Sequence, residues 1–237
     1  MQTLKFLGRG SAFNQNEGNT SAYIKDNNEL LLIDCGETVF KEIQKRKLLD
    51  DVHTVNVLIT HLHSDHVGSL SSLIYYCYYV KEFEVNIYYP NKDLYNLLIL
   101  NGNTDEEFNF HLVEKDNFFS INKNTIVQYR LTKHIKDINC YGITLMLNSN
   151  NYDTNIYYSG DTNKVNKGIL KALITGSISE FYQDTCLGDY EGNVHLSLNK
   201  LCEAVPKDFR SKVHCMHLDC EELTDKAKSE GFNVVEV

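Results

Sequence analysis

The densest chemistry in the chain lies in Thr60-His61-Leu62-His63-Ser64-Asp65-His66, where three histidines and an aspartate fall within six positions after an apolar run. Imidazole and carboxylate are side chains that bind zinc and neighbouring divalent cations. A turn at a strand end can aim His61 and His63 one way and Asp65 and His66 another, giving each of two ions one pair. Histidine is a rare residue, so this density points to ligands rather than to an ordinary polar loop.

The segment resembles the His-x-His-x-Asp-His signature of the metallo-β-lactamase superfamily. That resemblance implies an α+β fold, a four-layer αββα sandwich formed as one domain over residues 1–237. Three later residues match the family's remaining motifs in chain order, each following an apolar strand: His134, Asp161 in Ser159-Gly160-Asp161-Thr162, and His217. The implied ligand set places one ion on His61, His63 and His134 and another on Asp65, His66 and His217, with Asp161 shared. Zinc is the expected metal, with manganese as the alternative. A pair of such ions makes hydroxide from water at neutral pH and stabilises the entering and leaving oxygens of an ester.

Further segments narrow the resemblance to phosphodiester hydrolysis. Asp34-Cys35-Gly36-Glu37 is similar to the Asp-Cys-Gly-Glu element of the ribonuclease Z group, in which Asp34 would orient a ligand histidine. Gly10-Ser11-Ala12 and Asn19-Thr20-Ser21 resemble that group's N-terminal elements, making Ser11, Asn19 and Thr20 candidate substrate contacts. His195 in Asn193-Val194-His195-Leu196-Ser197 looks like the group's His-Ser/Thr loop, and as a general acid it could protonate the leaving alkoxide. Asp65 and His195 are therefore the candidate catalytic residues. The group's His-Glu-Ala-Thr element is represented only by Tyr182-Gln183-Asp184-Thr185, so the carboxylate that should support His195 is not identified.

Ribonuclease Z carries a tRNA-gripping arm between the residues matching His134 and Asp161. Here 26 residues separate them, and two expected strands occupy nearly half of that interval. The armless outline is similar to the anti-Pycsar family of phage and bacterial phosphodiesterases, which implies hydrolysis of 3′,5′-cyclic nucleotides, including cyclic CMP and UMP, and a homodimer. A ribonuclease Z-like tRNA 3′ endonuclease, or another hydrolase of the same fold, is the alternative.

The elements that must position these residues can be read from apolar patterning. Strands are expected over 3–7, 20–25 and 29–34, forming a small antiparallel opening sheet. Further strands are expected at 55–60, 85–89, 125–131, 141–147, 155–159, 178–182, 212–216 and 233–237. Helices are expected over 37–49, 67–83, 93–100, 163–174, 198–204 and 221–230. The run Tyr75-Tyr76-Cys77-Tyr78-Tyr79 reads as helix packing rather than as a platform for bases.

Composition sets outer limits. With 42% apolar and 23% charged residues the chain has the make-up of a globular protein. A formal net charge of −9 opposes a broad grip on nucleic acid, so the expected partner is a small cyclic nucleotide, with no stable nucleic-acid partner. Seven irregularly spaced cysteines suit a reducing compartment. No export signal or membrane-length apolar run is evident, and the expectation is a cytoplasmic protein with no membrane partner.

Overall fold

Leu30 to Ile33 form an unbroken apolar run, which a strand can hold only if both of its faces are covered. The computed structural model describes residues 3–148 and 153–237 and supplies that cover by stacking two sheets with helices outside them. The first sheet contains β1 (Lys5–Gly8), β2 (Ser21–Asp26), β3 (Glu29–Ile33), β4 (Thr54–Leu58), β5 (Val85–Tyr89) and β6 (Phe108–Leu112), side by side in chain order. The second contains β7 (Phe118–Asn122), β8 (Thr125–Thr132), β9 (Cys140–Asn148), β10 (Asp153–Tyr158), β11 (Glu180–Asp184), β12 (Val213–Met216) and β13 (Asn233–Val234), again in chain order.

Strands β3 to β6 run parallel, as do β10 to β13. Parallel neighbours need a crossover, and helices supply it. In the first half these are α1 (Val39–Lys45), α2 (Ser64–Val67), α3 (Leu70–Tyr79) and α4 (Asp93–Leu100). In the second half they are α5 (Lys167–Ile174), α6 (Leu198–Ala204) and α7 (Glu222–Ser229). Side-chain alternation then divides the core in two. Ile156, Tyr158, Tyr182 and Met216 pack towards the first sheet, whereas Tyr157, Phe181, Val213 and Cys215 pack beneath α5, α6 and α7. The αββα layering that the family resemblance implies is the architecture found.

Several local expectations need correction. The opening strands do not make a sheet of their own, because β3 pairs in parallel with β4 and joins them to the larger sheet. The helix expected over 67–83 is interrupted between α2 and α3, where the Ser69 hydroxyl donates to Gly36 O and accepts from Phe40 N. Strands β6 and β7 were not expected at all. They stand at the sheet edges with mostly exposed or half-buried side chains; β6 does alternate apolar and polar residues from Phe108 to Leu112, a strand signal that the expectations above passed over, whereas Phe118 to Asn122 of β7 does not alternate. The tyrosine run lies on α3, with Cys77 buried and Tyr79 exposed. No helix among the described residues is long and apolar enough to cross a membrane.

Parallel strands present their C-terminal ends on one edge, and this is how the fold gathers the polar residues. The turn after β3 is locked against the histidine segment: Cys35 N donates to His66 O at 2.7 Å, and Ser69 N donates to Cys35 O at 3.1 Å. Gly36 leaves no room for a side chain, since a Cβ there would stand 1.9 Å from Asp65 O. Gly36→Ala must therefore displace the backbone that carries Asp65. The expected outcome is a loss of about 1–3 kcal/mol or more of stability, together with weaker metal retention. Thermal unfolding with parallel metal analysis checks this, and an unchanged midpoint would contradict the packing described.

Candidate metal centre

Each candidate ligand sits just beyond a strand end. His61, His63, Asp65 and His66 follow β4, His134 follows β8, Asp161 follows β10, and His217 follows β12. His217 has a positive φ of 59°, a backbone bend that turns the chain immediately after the strand. The ligand atoms of His61, His63, His134 and Asp161 all lie within 4.8 Å of one another, as do those of Asp65, His66, Asp161 and His217. All seven residues proposed from the sequence thus converge into two donor groups that share Asp161.

Hydrogen bonds behind the imidazoles fix which nitrogen faces the centre. His134 Nδ1 donates to Val194 O at 3.1 Å, leaving its buried Nε2 without a hydrogen-bond partner. His66 Nδ1 donates to Asp34 Oδ2 at 2.8 Å, and its Nε2 likewise has no hydrogen-bond partner, 3.3 Å from both Asp65 Oδ2 and Asp161 Oδ1. Asp34 is fully buried and also accepts from Thr60 N at 2.7 Å. His61 Nδ1 is engaged by Thr60 Oγ1, so that its Nε2 reaches within 2.9 Å of His63 Nδ1 and 3.6 Å of Asp161 Oδ2. Inward-facing imidazole nitrogens without donors to satisfy them, set around ionisable carboxylates, are what a pair of divalent cations requires.

The electrostatics favour neutral imidazole in the first donor group, whereas in the second the carboxylates draw protons onto His66 and His217 that a bound cation would displace. Burial, joined by the neighbouring histidines, pushes His61, His63 and His134 below the ordinary imidazole range, towards the neutral form that ligates metal. Burial alone would raise Asp161, but His217, His66 and His61 hold it well below the usual carboxylate range. Asp65 is lowered in the same way, with His217 and His66 overcoming burial. In return Asp161 and Asp34 lift His66, and Asp161, Asp184 and Asp65 lift His217 to about 10, in each case against burial.

His195 lies beside both groups, its ring centroid 4.9 Å from that of His134 and 5.0 Å from that of His217. The carboxylate missing from the sequence reading is Asp184, the last residue of β11. Its Oδ2 accepts from His195 Nδ1 at 2.8 Å and from Thr162 N at 2.8 Å. It is fully buried, and its Oδ1 lies 3.5 Å from His217 Nδ1. An available signal was its place in Tyr182-Gln183-Asp184-Thr185, where it is the one carboxylate in the segment matched to the His-Glu-Ala-Thr element. The substrate contacts expected from the N-terminal elements are placed differently. Asn19 and Thr20 are buried, with Asn19 Oδ1 accepting from Thr38 N and Thr20 Oγ1 donating to Gly10 O, so both side chains brace the loop. Ser11 is half-buried, and its backbone N donates to Leu218 O beside His217.

Fold and site together define a metallo-β-lactamase-fold protein whose strand-end histidines and aspartates form two adjoining groups able to hold metal. Solved structures support that class. The metallo-β-lactamase fold protein YhfI from Bacillus subtilis superposes with a TM-score of 0.74 at 16% identity, covering 98% of this chain and 94% of that one. The short form of human tRNase Z gives 0.72 at 17% identity, with coverage of 98% and 95%. Zinc-bound PqqB from Methylobacterium extorquens gives 0.73 at 12% identity, with coverage of 98% and 97%.

The chain belongs to the anti-Pycsar protein Apyc1 family, whose model matches residues 2–236. Among its relatives are the anti-Pycsar protein Apyc1 of Paenibacillus harenae, 26% identical over 229 residues, and that of Bacillus phage 010DV004, 27% identical over 235 residues. Each alignment covers 90% of this chain and 88% of the relative.

If Asp161 serves both donor groups, Asp161→Ala should lower the divalent metal bound per chain, as measured by elemental mass spectrometry on the purified protein. Asp34→Ala should retain the ligands but weaken metal affinity by about 10–100-fold, because His66 loses the group that orients it. Wild-type metal content in Asp161→Ala would remove that residue from the centre.

Proposed function

We propose that the protein is a dinuclear metal-dependent phosphodiesterase that opens 3′,5′-cyclic nucleotides, including cyclic CMP and UMP, to nucleoside monophosphates. By doing so it would disarm bacterial anti-phage signalling. The observation that carries the reading is the pair of donor groups joined through Asp161, with His195 and its Asp184 partner standing beside them. Family membership supports the choice of substrate class.

His61, His63 and His134 would hold one ion and Asp65, His66 and His217 the other, with Asp161 common to both. Two zinc ions, or manganese in their place, would supply a nucleophilic hydroxide at neutral pH and neutralise charge on the phosphate oxygens. The protein's own part is to position and to move a proton. Asp184 binds His195 through Nδ1, which directs Nε2 away from the carboxylate and towards a leaving group. Burial would lower His195, but Asp184 and Asp161 raise it, favouring the protonated form that a general acid needs. Asp65, grouped with His66, Asp161 and His217, would keep its ion in place while the ester bond breaks.

The net charge of −9 supports a small substrate rather than a stable nucleic-acid partner. The interval between His134 and Asp161 supports the same choice, because β9 and β10 take up most of it. We place the protein in a cytoplasm, acting as a homodimer away from membranes.

A panel of cyclic CMP, cyclic UMP, cyclic AMP and precursor tRNA, with product analysis on metal-quantified protein, tests the assignment. Turnover of cyclic nucleotides to monophosphates is expected. Cleavage of precursor tRNA without any action on the cyclic compounds would favour the tRNA 3′ endonuclease reading. His195→Ala should keep its metals yet slow turnover by about 10²-fold or more. Wild-type turnover in that variant would remove His195 from proton transfer.

A further inference from the structure

The three residues His217-Leu218-Asp219 support two loops as well as ending a strand. On one side, Leu218 N donates to Arg9 O at 2.8 Å and Leu218 O accepts from Ser11 N at 3.0 Å and from Asn14 Nδ2 at 3.0 Å. Asn14 N closes the turn onto Ser11 O at 3.1 Å, and Arg9 pairs with Glu17 across the base of the loop. At the tip of this tied-down turn stands Phe13, 97% exposed.

On the other side, the Asp219 carboxylate accepts from Leu187 N at 3.0 Å and approaches Gly188 N at 3.4 Å, which fixes the start of the loop leading to His195. Asn193 ties the same loop together, donating through Nδ2 to Gly188 O at 2.8 Å and accepting from His195 N at 3.0 Å. That loop carries Tyr190, 63% exposed.

Large aromatic surface held in water is unfavourable, and the backbone of both loops is held by the hydrogen bonds above. Both rings are anchored through residues next to a candidate metal ligand. Their flat faces complement a flat, uncharged partner and supply nothing that would bind a phosphate.

We propose that Phe13 and Tyr190 form an aromatic rim that stacks on the nucleobase of the substrate, one from each loop beside His217. The proposal rests on the cyclic-nucleotide reading above. The metal centre then takes the cyclic phosphate, and the rim takes the base, an interaction that any base can make because each has a π-face. Phe13 and Tyr190 are base-binding residues, and neither takes part in bond breaking.

The test compares 3′,5′-cyclic CMP with a base-free substrate, the 3′,5′-cyclic phosphate of 1-deoxyribose, on wild type, Phe13→Ala, Phe13→Trp and Tyr190→Ala. Each alanine variant should raise KM for cyclic CMP by about tenfold while changing kcat by less than about twofold. KM for the base-free compound should stay at the wild-type value, and Phe13→Trp should keep the wild-type KM for both. Equal changes on the two substrates, a loss confined to kcat, or unchanged KM in both alanine variants would each overturn the rim. So would Phe13→Ala that splits a dimer on size-exclusion chromatography and leaves KM untouched, since the ring would then belong to a subunit contact. Wild-type protein that turns over neither cyclic compound would sink the cyclic-nucleotide reading itself, whereas turnover of both with equal KM would overturn only the rim.

Discussion

A buried carboxylate, Asp161, sits among imidazoles at the junction of two donor groups, and the rest of the architecture follows from keeping it there. A charge removed from water is tolerated only when opposite charge or a cation stands close to it. His217, His66 and His61 meet that condition from β12 and β4, strands that belong to different sheets. The two sheets must therefore stack with the same edge forward, and the core between them holds that alignment.

A layer of hydrogen bonds behind the ligands makes the arrangement specific. Asp34 fixes His66, Thr60 engages His61, and Val194 O fixes His134, so that each ring offers its Nε2 to the centre. Asp34 is pushed upward by burial yet held by His66 and Thr60, a balance that suits an acceptor kept in one orientation. Asp184 extends this logic by joining His195 to the backbone at Thr162 and lying close to His217. The proposed proton donor is thereby anchored to the same scaffold as the ligands.

The segments around the centre divide into braces and free surface. Asn19, Thr20 and Ser21 look from their types like residues for binding a phosphate, but their buried side chains hold neighbouring turns. Phe13 and Tyr190 are apolar or half-apolar and remain exposed on loops secured beside His217. Polarity of a residue type therefore did not predict contact with solvent here, because tight loops near a buried charge need their own internal hydrogen bonds.

The sequence by itself singled out the candidate ligands of the first segment and, through the resemblance they carry, the later candidates at strand ends and the layered fold. Metal ligation demands rare residue types in fixed local order, and the parallel strands that support them need apolar runs, both of which are visible one residue after another. The role of Asp184, the joining of β1 to β3 with β4, and the edge strands β6 and β7 came only with the tertiary structure. Each depends on a partner elsewhere in the chain: Asp184 gains meaning from His195 eleven residues on, β3 from its pairing with β4, and the edge strands from ladders with β5 and β8 that leave most of their side chains outside the core. The use made of Asn19 and Thr20 was equally hidden, since a side chain's type states what it can bond and only the fold states what stands within reach.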